Sequence, residues 1–238
     1  MDLRLSKLPK NPVIIEGFPG FGLVGSIALE FLIDHLKTEP IGVFTHEKMP
    51  AIVAIHENKL VPPISVHYCS EYNLLLVHAL TTLPGMEWYI ADAVIELAEK
   101  TKAKEIICIE GVGSMQESEE IKDPQVFYYS NSQPKVKECE SLLLKPLKEG
   151  IVVGATSALL IKSSSPVTAF FAEAHTTMPD SKAAAKIIEA LDKYLGLKVD
   201  YAPLLKKAEN FENKLKLLIQ QSKQAITQKE MKQLSYVG

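Results

Sequence analysis

The segment at 13–31, VIIEGFPGFGLVGSIALEF, limits the folds open to this chain more than any other stretch. It opens with VIIE, an apolar run too short for a helix and without polar alternation, and such runs form strands buried on both faces. A glycine follows, and apolar residues then recur at Val24, Ile27, Ala28 and Phe31, the spacing of a helix with one buried face. After Pro40 the run IGVF repeats the buried-strand pattern. A strand that passes through a glycine turn into a helix and on to another strand belongs to an α/β protein, whose sheet is covered by helices on both sides.

The alternation continues with one interruption. Between 51 and 80, AIVAIHE, ISVHYCSE and NLLLVHAL are strand-like and separated by too few residues for helices, so antiparallel pairing is expected there and the sheet is mixed. Pro84-Gly85 precedes a helix expected over about 86–100, and EIICIEGVG at 105–113 returns to a buried strand. The polar run 114–125 reads as a surface loop, and VFYY, GIVVGAT and VTAFFAEA as further strands. Asp180 or Ser181 is placed to cap a helix with the apolar face Ala184, Ile187, Ile188, Leu191 and Leu195, and Gly196 to end it. These elements make one α/β domain over 1–199.

Residues 200–238 have a different texture. With Asp200 as cap and Pro203 in the first turn, a long helix is expected over about 201–234. Leu204, Ala208, Phe211, Leu215 and Leu218 alternate in steps of four and three, continuing to Ser222 and Ala225, as a coiled-coil seam does. The seam has two readings: a helix folded back on its own domain, or one that packs against a second copy or a partner. The narrow seam and the length without breakers favour the second.

Composition removes several classes of function. The net charge of −3, with basic and acidic residues interspersed, lacks the basic excess of a general nucleic-acid binder. The 3 cysteines, Cys69, Cys108 and Cys139, are scattered without a CxxC, so neither a disulfide framework nor a zinc site is expected. The first twelve residues do not read as a signal peptide, and the apolar runs are too short to cross a bilayer. A reducing, cytoplasmic setting is expected.

The chain carries one motif of catalytic appearance. Gly20-Phe21-Gly22-Leu23-Val24-Gly25 is a GxGxxG lying after a strand and opening a helix, the context of a dinucleotide fingerprint. Its ribose-binding acid would be Glu47, which falls a few residues late. Phe18, Pro19 and Phe21 add bulk where phosphates require a slim loop, and this favours glycines that serve a tight strand-to-helix crossover. His46, His56, His67 and His78 lack the spacing of metal ligands, and half-buried strand histidines usually bond to a neighbouring polar group. There is no GxSxG and no GxxxxGK[ST]. Gly111-Val112-Gly113-Ser114 and His175-Thr176-Thr177 are read as turns at strand ends, and Trp88 with Tyr89 as core residues rather than an interface anchor. No cofactor, metal or catalytic residue is assigned.

Several segments taken in order resemble the proteasome assembly chaperone 2 family: GFPGFGLVGSIA, TTLPG, IEGVGS, GIVVGATSALL and AHTTMPDSKAAAKIIEALDKYLGLKVDYAPLLKKAENFE. The resemblance runs from about Val13 to Leu218. It implies a three-layer α/β/α fold with a mixed, mostly parallel sheet of phosphorylase-like architecture and a long C-terminal helix. It further implies a homo-oligomer that acts without ATP and binds α subunits of the proteasome core particle. Archaeal members insert a C-terminal tail, a hydrophobic residue, a tyrosine and any last residue, between neighbouring α subunits. Here the tail reads Leu234-Ser235-Tyr236-Val237-Gly238, with the tyrosine one place early. Tail contact therefore falls to Leu234, Tyr236, Val237 and Gly238. The other readings are a homo-oligomeric scaffold and a nucleotide-binding enzyme using Gly20 to Gly25.

Overall fold

A computed structural model describes residues 1–56, 58–113, 123–175, 178–205 and 217. The first half of the chain forms β1 (Asp2–Leu5), β2 (Val13–Gly17), α1 (Val24–His35), β3 (Glu39–Thr45), β4 (Ala54–His56), β5 (Lys59–Val61), β6 (Ile64–Cys69), β7 (Leu74–Ala79), α2 (Glu87–Thr101) and β8 (Glu105–Gly113). The second half adds β9 (Val126–Ser130), α3 (Gln133–Ser141), β10 (Lys145–Pro146), α4 (Ala155–Lys162), β11 (Val167–Ala174) and α5 (Ser181–Leu195).

The apolar runs explain the layers. Along β2 and β8 alternate side chains point to opposite faces, and both faces are apolar: Ile14, Ile106 and Cys108 lie on one side, Ile15, Ile107 and Ile109 on the other, all fully buried. Two cores result. The first holds α1, α5 and Cys139 of α3 against the sheet, the second α2 and α4. Each large aliphatic side chain sealed this way contributes about 1.5–3 kcal/mol. On α5 four residues of the expected face, Ala184, Ile187, Ile188 and Leu191, are buried, and Leu195 is partly buried against the same core. Asp180 caps that helix by accepting from the Ala183 amide at 2.9 Å, and Gly196 ends it in a left-handed conformation at φ 67°.

Among the described residues nine strands form the main sheet in the order β1-β3-β6-β7-β2-β8-β11-β9-β10, with β4 and β5 as a separate hairpin. Parallel pairing joins β7, β2, β8 and β11 at the centre and β9 to β10 at one edge. Pairing is antiparallel from β1 through β3 and β6 to β7, and again between β11 and β9. The sheet is mixed as expected, but it is less parallel than expected, because the closely spaced strands before α2 fold as a meander. The chain leaves β2 toward the β1 edge and leaves β8 toward the β10 edge. Its connections thus diverge at the carboxyl ends of these adjacent parallel strands, where α/β proteins open a crevice.

Two local expectations are corrected. GIVVGAT is no strand: residues 151–154 form a loop with Ile151 87% exposed, and α4 begins at Ala155. A short apolar run does not distinguish the two by periodicity. Trp88 is half exposed, its ring facing Lys162 Nζ at 5.8 Å, so it is not a core residue. The strand β1 and the polar helix α3, which buries only Cys139, have no apolar period to announce them.

Candidate functional site

The glycine loop is a structural joint. A Cβ on Gly25 would stand 2.4 Å from the Ile109 carbonyl oxygen, and one on Gly111 would stand 2.2 Å from that of Phe21. These are backbone contacts that no side-chain rotation relieves. Gly22 adds a positive φ of 60°, in a single tight turn between the end of β2 and α1. The Asp180 amide donates to the Gly22 carbonyl at 2.8 Å, which ties the start of α5 to the same loop. The motif is thus spent on locking β2, α1, β8 and α5 together, which accounts for Gly22 and Gly25 through packing.

Beside this joint a crevice of about 460 Å³ opens at the carboxyl ends of β2 and β8. Its walls include Phe18 and Phe21 of the glycine loop, Val112, Leu147, Phe171, and Met178 before α5. No lysine, arginine or histidine lines it among the described residues, whereas Glu110 does. Among the described residues a phosphate placed here would meet a carboxyl group and no basic side chain.

Glu110, partly buried, belongs to an acidic cluster at the crevice's edge. Glu16 on β2 is fully buried, and it pairs in register with Cys108, two residues before Glu110 on the same face of β8. Thr156 of α4 reaches both acids: its Oγ1 lies 2.9 Å from Glu16 Oε1 and 2.6 Å from Glu110 Oε1. One hydroxyl carries one proton, so it donates to only one of the two oxygens. The other contact is a hydrogen bond only if that carboxyl is itself protonated and donates to Thr156. The geometry therefore calls for one shared proton.

Electrostatics agrees. Burial pushes Glu16 up to about 7, against smaller opposing effects of the Cys108 thiol, the Thr156 hydroxyl and the Phe18 amide. Burial, then the neighbouring Glu16 charge, pushes Glu110 up to about 8, with Thr156 opposing. The Cys108 thiol and Phe18 amide face Glu16 without closing a bond of ordinary geometry to Oε2, which makes no hydrogen bond among the described residues.

A second buried acid, Glu105, sits at the amino end of β8 on the opposite face. It accepts from Lys135 Nζ at 2.8 Å, from the Tyr194 hydroxyl at 2.9 and 3.1 Å, and from the Thr168 hydroxyl. The adjacent carboxylates Glu105 and Glu138 raise the Lys135 ammonium pKa beyond what its burial takes away.

The candidates named from sequence are scattered. Leu204 is buried in the first core of its own chain, beside Leu197 and Val199. Ala208, Phe211, Leu215 and Leu218 of the seam, and Leu234, Tyr236, Val237 and Gly238 of the tail, lie outside the described residues. The His67 ring lies 3.0 Å from Ser65 Oγ and is held at about 4, mainly by burial, and no metal-ligating cluster exists among the described residues. The His175 amide donates to Asp180 Oδ2 at 3.3 Å, while Thr176 and Thr177 fall outside the described residues. Sequence reasoning missed Glu16, Glu110 and Glu105. A signal for the first two was present: Glu-Gly ends the apolar run VIIEG and recurs in IICIEG, a charge at the same point of two runs otherwise built for burial.

A mixed sheet sandwiched between helix layers, with a glycine joint closing its first crossover, defines a three-layer α/β/α protein. The chain belongs to the PAC2 family, whose model matches residues 14–219. It is similar to Pyrococcus furiosus PbaA, described as an archaeal homolog of proteasome-assembly chaperone, with TM-score 0.84 and 32% identity over 94% of this chain and 98% of that one. It shares its fold with PbaB of the same organism, described as an archaeal proteasome activator, with TM-score 0.75 and 23% identity over 91% of this chain and 98% of that one. An uncharacterized protein of Methanocaldococcus jannaschii is 27% identical over 215 residues, covering 89% of this chain and 87% of its own length.

Proposed function

We propose that this chain is an ATP-independent proteasome assembly chaperone or proteasome-binding factor that contacts α subunits of the core particle. The observation that carries this reading is the likeness to PbaA along nearly the whole chain, since that protein is described as a homolog of proteasome-assembly chaperone. The glycine motif supports it from the other side: packing accounts for Gly22 and Gly25, and the crevice beside them offers a carboxyl group where a nucleotide needs positive charge. The protein works in the cytoplasm as a homo-oligomer; Leu204 packs in its own core, and the rest of the seam, from Ala208 to Leu218, packs between copies or against the partner. No described helix is long and apolar enough to cross a membrane.

The tail supplies the reach. Between Ser222 and Leu234 the sequence is almost entirely polar and has little apolar area to hold it on the domain, which suits a tether ordered only in a complex. Leu234, Tyr236, Val237 and Gly238 are its anchoring residues.

Affinity purification of the native chain from its own cell extract is expected to recover proteasome α subunits, and their absence would refute the reading. Deleting 235–238 is expected to weaken that recovery without changing thermal stability. Leu215→Asp is expected to lower the native mass or sever the partner, because a charge in an apolar contact costs several kcal/mol.

A further inference from the structure

The crevice beside Glu110 is built differently from a surface dimple. Its volume of about 460 Å³ lies within the range that holds small organic ligands. Its walls are mainly apolar, with Phe18 beneath and the partly exposed Phe21 at the rim. Glu110 is its one charged lining residue among those described. The contact to Thr156 uses Oε1 of Glu110, and Oε2 has no bond among the described residues. Behind it Glu16 is fully buried with its own Oε2 unpartnered among the described residues, an arrangement that costs free energy until a donor satisfies it.

The charge balance is one-sided. Glu16 comes from β2, Glu110 and the Cys108 thiol from β8, and α4 contributes only the neutral Thr156 hydroxyl. No basic side chain answers them from the crevice wall among the described residues. Anionic ligands are therefore disfavoured. A cation with several N–H donors supplies what is missing, since a planar amidinium or guanidinium matches a carboxylate with two parallel hydrogen bonds. We propose that this crevice binds a small organic cation, an amidinium, guanidinium or ammonium head on a flat apolar body. The head pairs with the Glu110 carboxylate, and the body lies against Phe18 and Phe21. The cluster's shared proton leaves to solvent as the head enters, so affinity rises with pH through the range of about 7 to 8 in which these acids titrate.

The site is independent of proteasome contact and is tested without it. Benzamidine is the probe and benzyl alcohol, of similar shape but neutral, the control, both titrated calorimetrically into the full chain in two buffers of different protonation enthalpy. Benzamidine is expected to saturate in the millimolar range with net proton release below the cluster's titration range, and benzyl alcohol not to saturate. Glu110→Gln keeps the shape of the protonated acid and is expected to weaken benzamidine about tenfold or more. A melting curve of the variant reports its folding. Phe21→Ala, at the exposed rim, is expected to weaken binding several-fold with the proton release unchanged. Failure of benzamidine to saturate, equal binding of benzyl alcohol, or a folded Glu110→Gln that binds as well as the parent overturns the proposal.

Discussion

The two ends of β8 solve one problem in opposite ways. At the amino end Glu105 is buried and answered by a lysine, a tyrosine and a threonine, so its charge is matched within the fold. At the carboxyl end Glu110 and Glu16 share a single threonine hydroxyl, and burial raises both. The amino end abuts helices α3 and α5, which bring their own donors. At the carboxyl end the acids face α4, which brings them only the Thr156 hydroxyl among the described residues, while the glycine joint packs on the opposite face of β8. A buried acid that the fold completes is structural. One left incomplete beside a crevice stays open to a ligand, the arrangement in which perturbed acids gather at functional sites.

The largest effect is expected at the completed end. Glu105→Ala leaves the Lys135 ammonium, Tyr194 and Thr168 without their acceptor and is expected to cost about 3 kcal/mol by chemical denaturation, the lower end for a broken buried pair because Lys135 keeps Glu138 at 2.9 Å. A cost below 1 kcal/mol, roughly one ordinary hydrogen bond, would erase the contrast between the ends. Next comes Gly111→Ala. Its methyl group would stand 2.2 Å from the Phe21 carbonyl oxygen, so backbone must move, at about 2 kcal/mol. The variant sharpens the comparison by testing whether backbone contact holds the carboxyl end together. Tyr194→Phe removes one donor to Glu105 and is expected to cost about 1 kcal/mol.

The smallest effect, and the most telling in sign, is expected for Glu110→Gln. Both acids lie above their ordinary value of 4.5, so between that value and about 8 the native state holds more protons than the unfolded chain. The stability they contribute is complete below the ordinary carboxylate range and is lost as pH rises through about 7 to 8. Glu110→Gln exchanges a protonated acid for a neutral amide, so below the ordinary carboxylate range it is expected to change stability by less than about 0.5 kcal/mol. Above the titration range it is expected to be more stable than the parent. Unfolding measured across pH checks this, and a variant less stable than the parent at every pH contradicts it.

Much of this architecture is legible in the sequence because burial on both faces leaves a plain signature. VIIE, NLLLVHAL, EIICIE and VTAFFAEA are continuous apolar runs, and all four lie in the central parallel strands. The α5 helix was readable from its cap to its glycine stop. What the pattern hides is contextual. GIVVGAT has the composition of a strand and is a loop rimming the crevice, and α3 is too polar to show a period although Lys135 on it completes Glu105. The candidate site was the least legible part. The glycines drew attention by motif, whereas the acids beside them become a pair only when the register sets Glu16 against Cys108 and α4 lays Thr156 across both.

The contrast between the two ends rests on one proton, and infrared spectroscopy reads it directly. The account predicts that the carbonyl band of a protonated carboxylic acid persists at about pH 6, above the ordinary glutamate range, and fades through about 7 to 8. It predicts that the band survives Glu105→Gln and is absent from a Glu16→Gln, Glu110→Gln double variant. A spectrum with every carboxyl group already ionised at about pH 6, or a band that disappears with Glu105→Gln and not with the double variant, would contradict it.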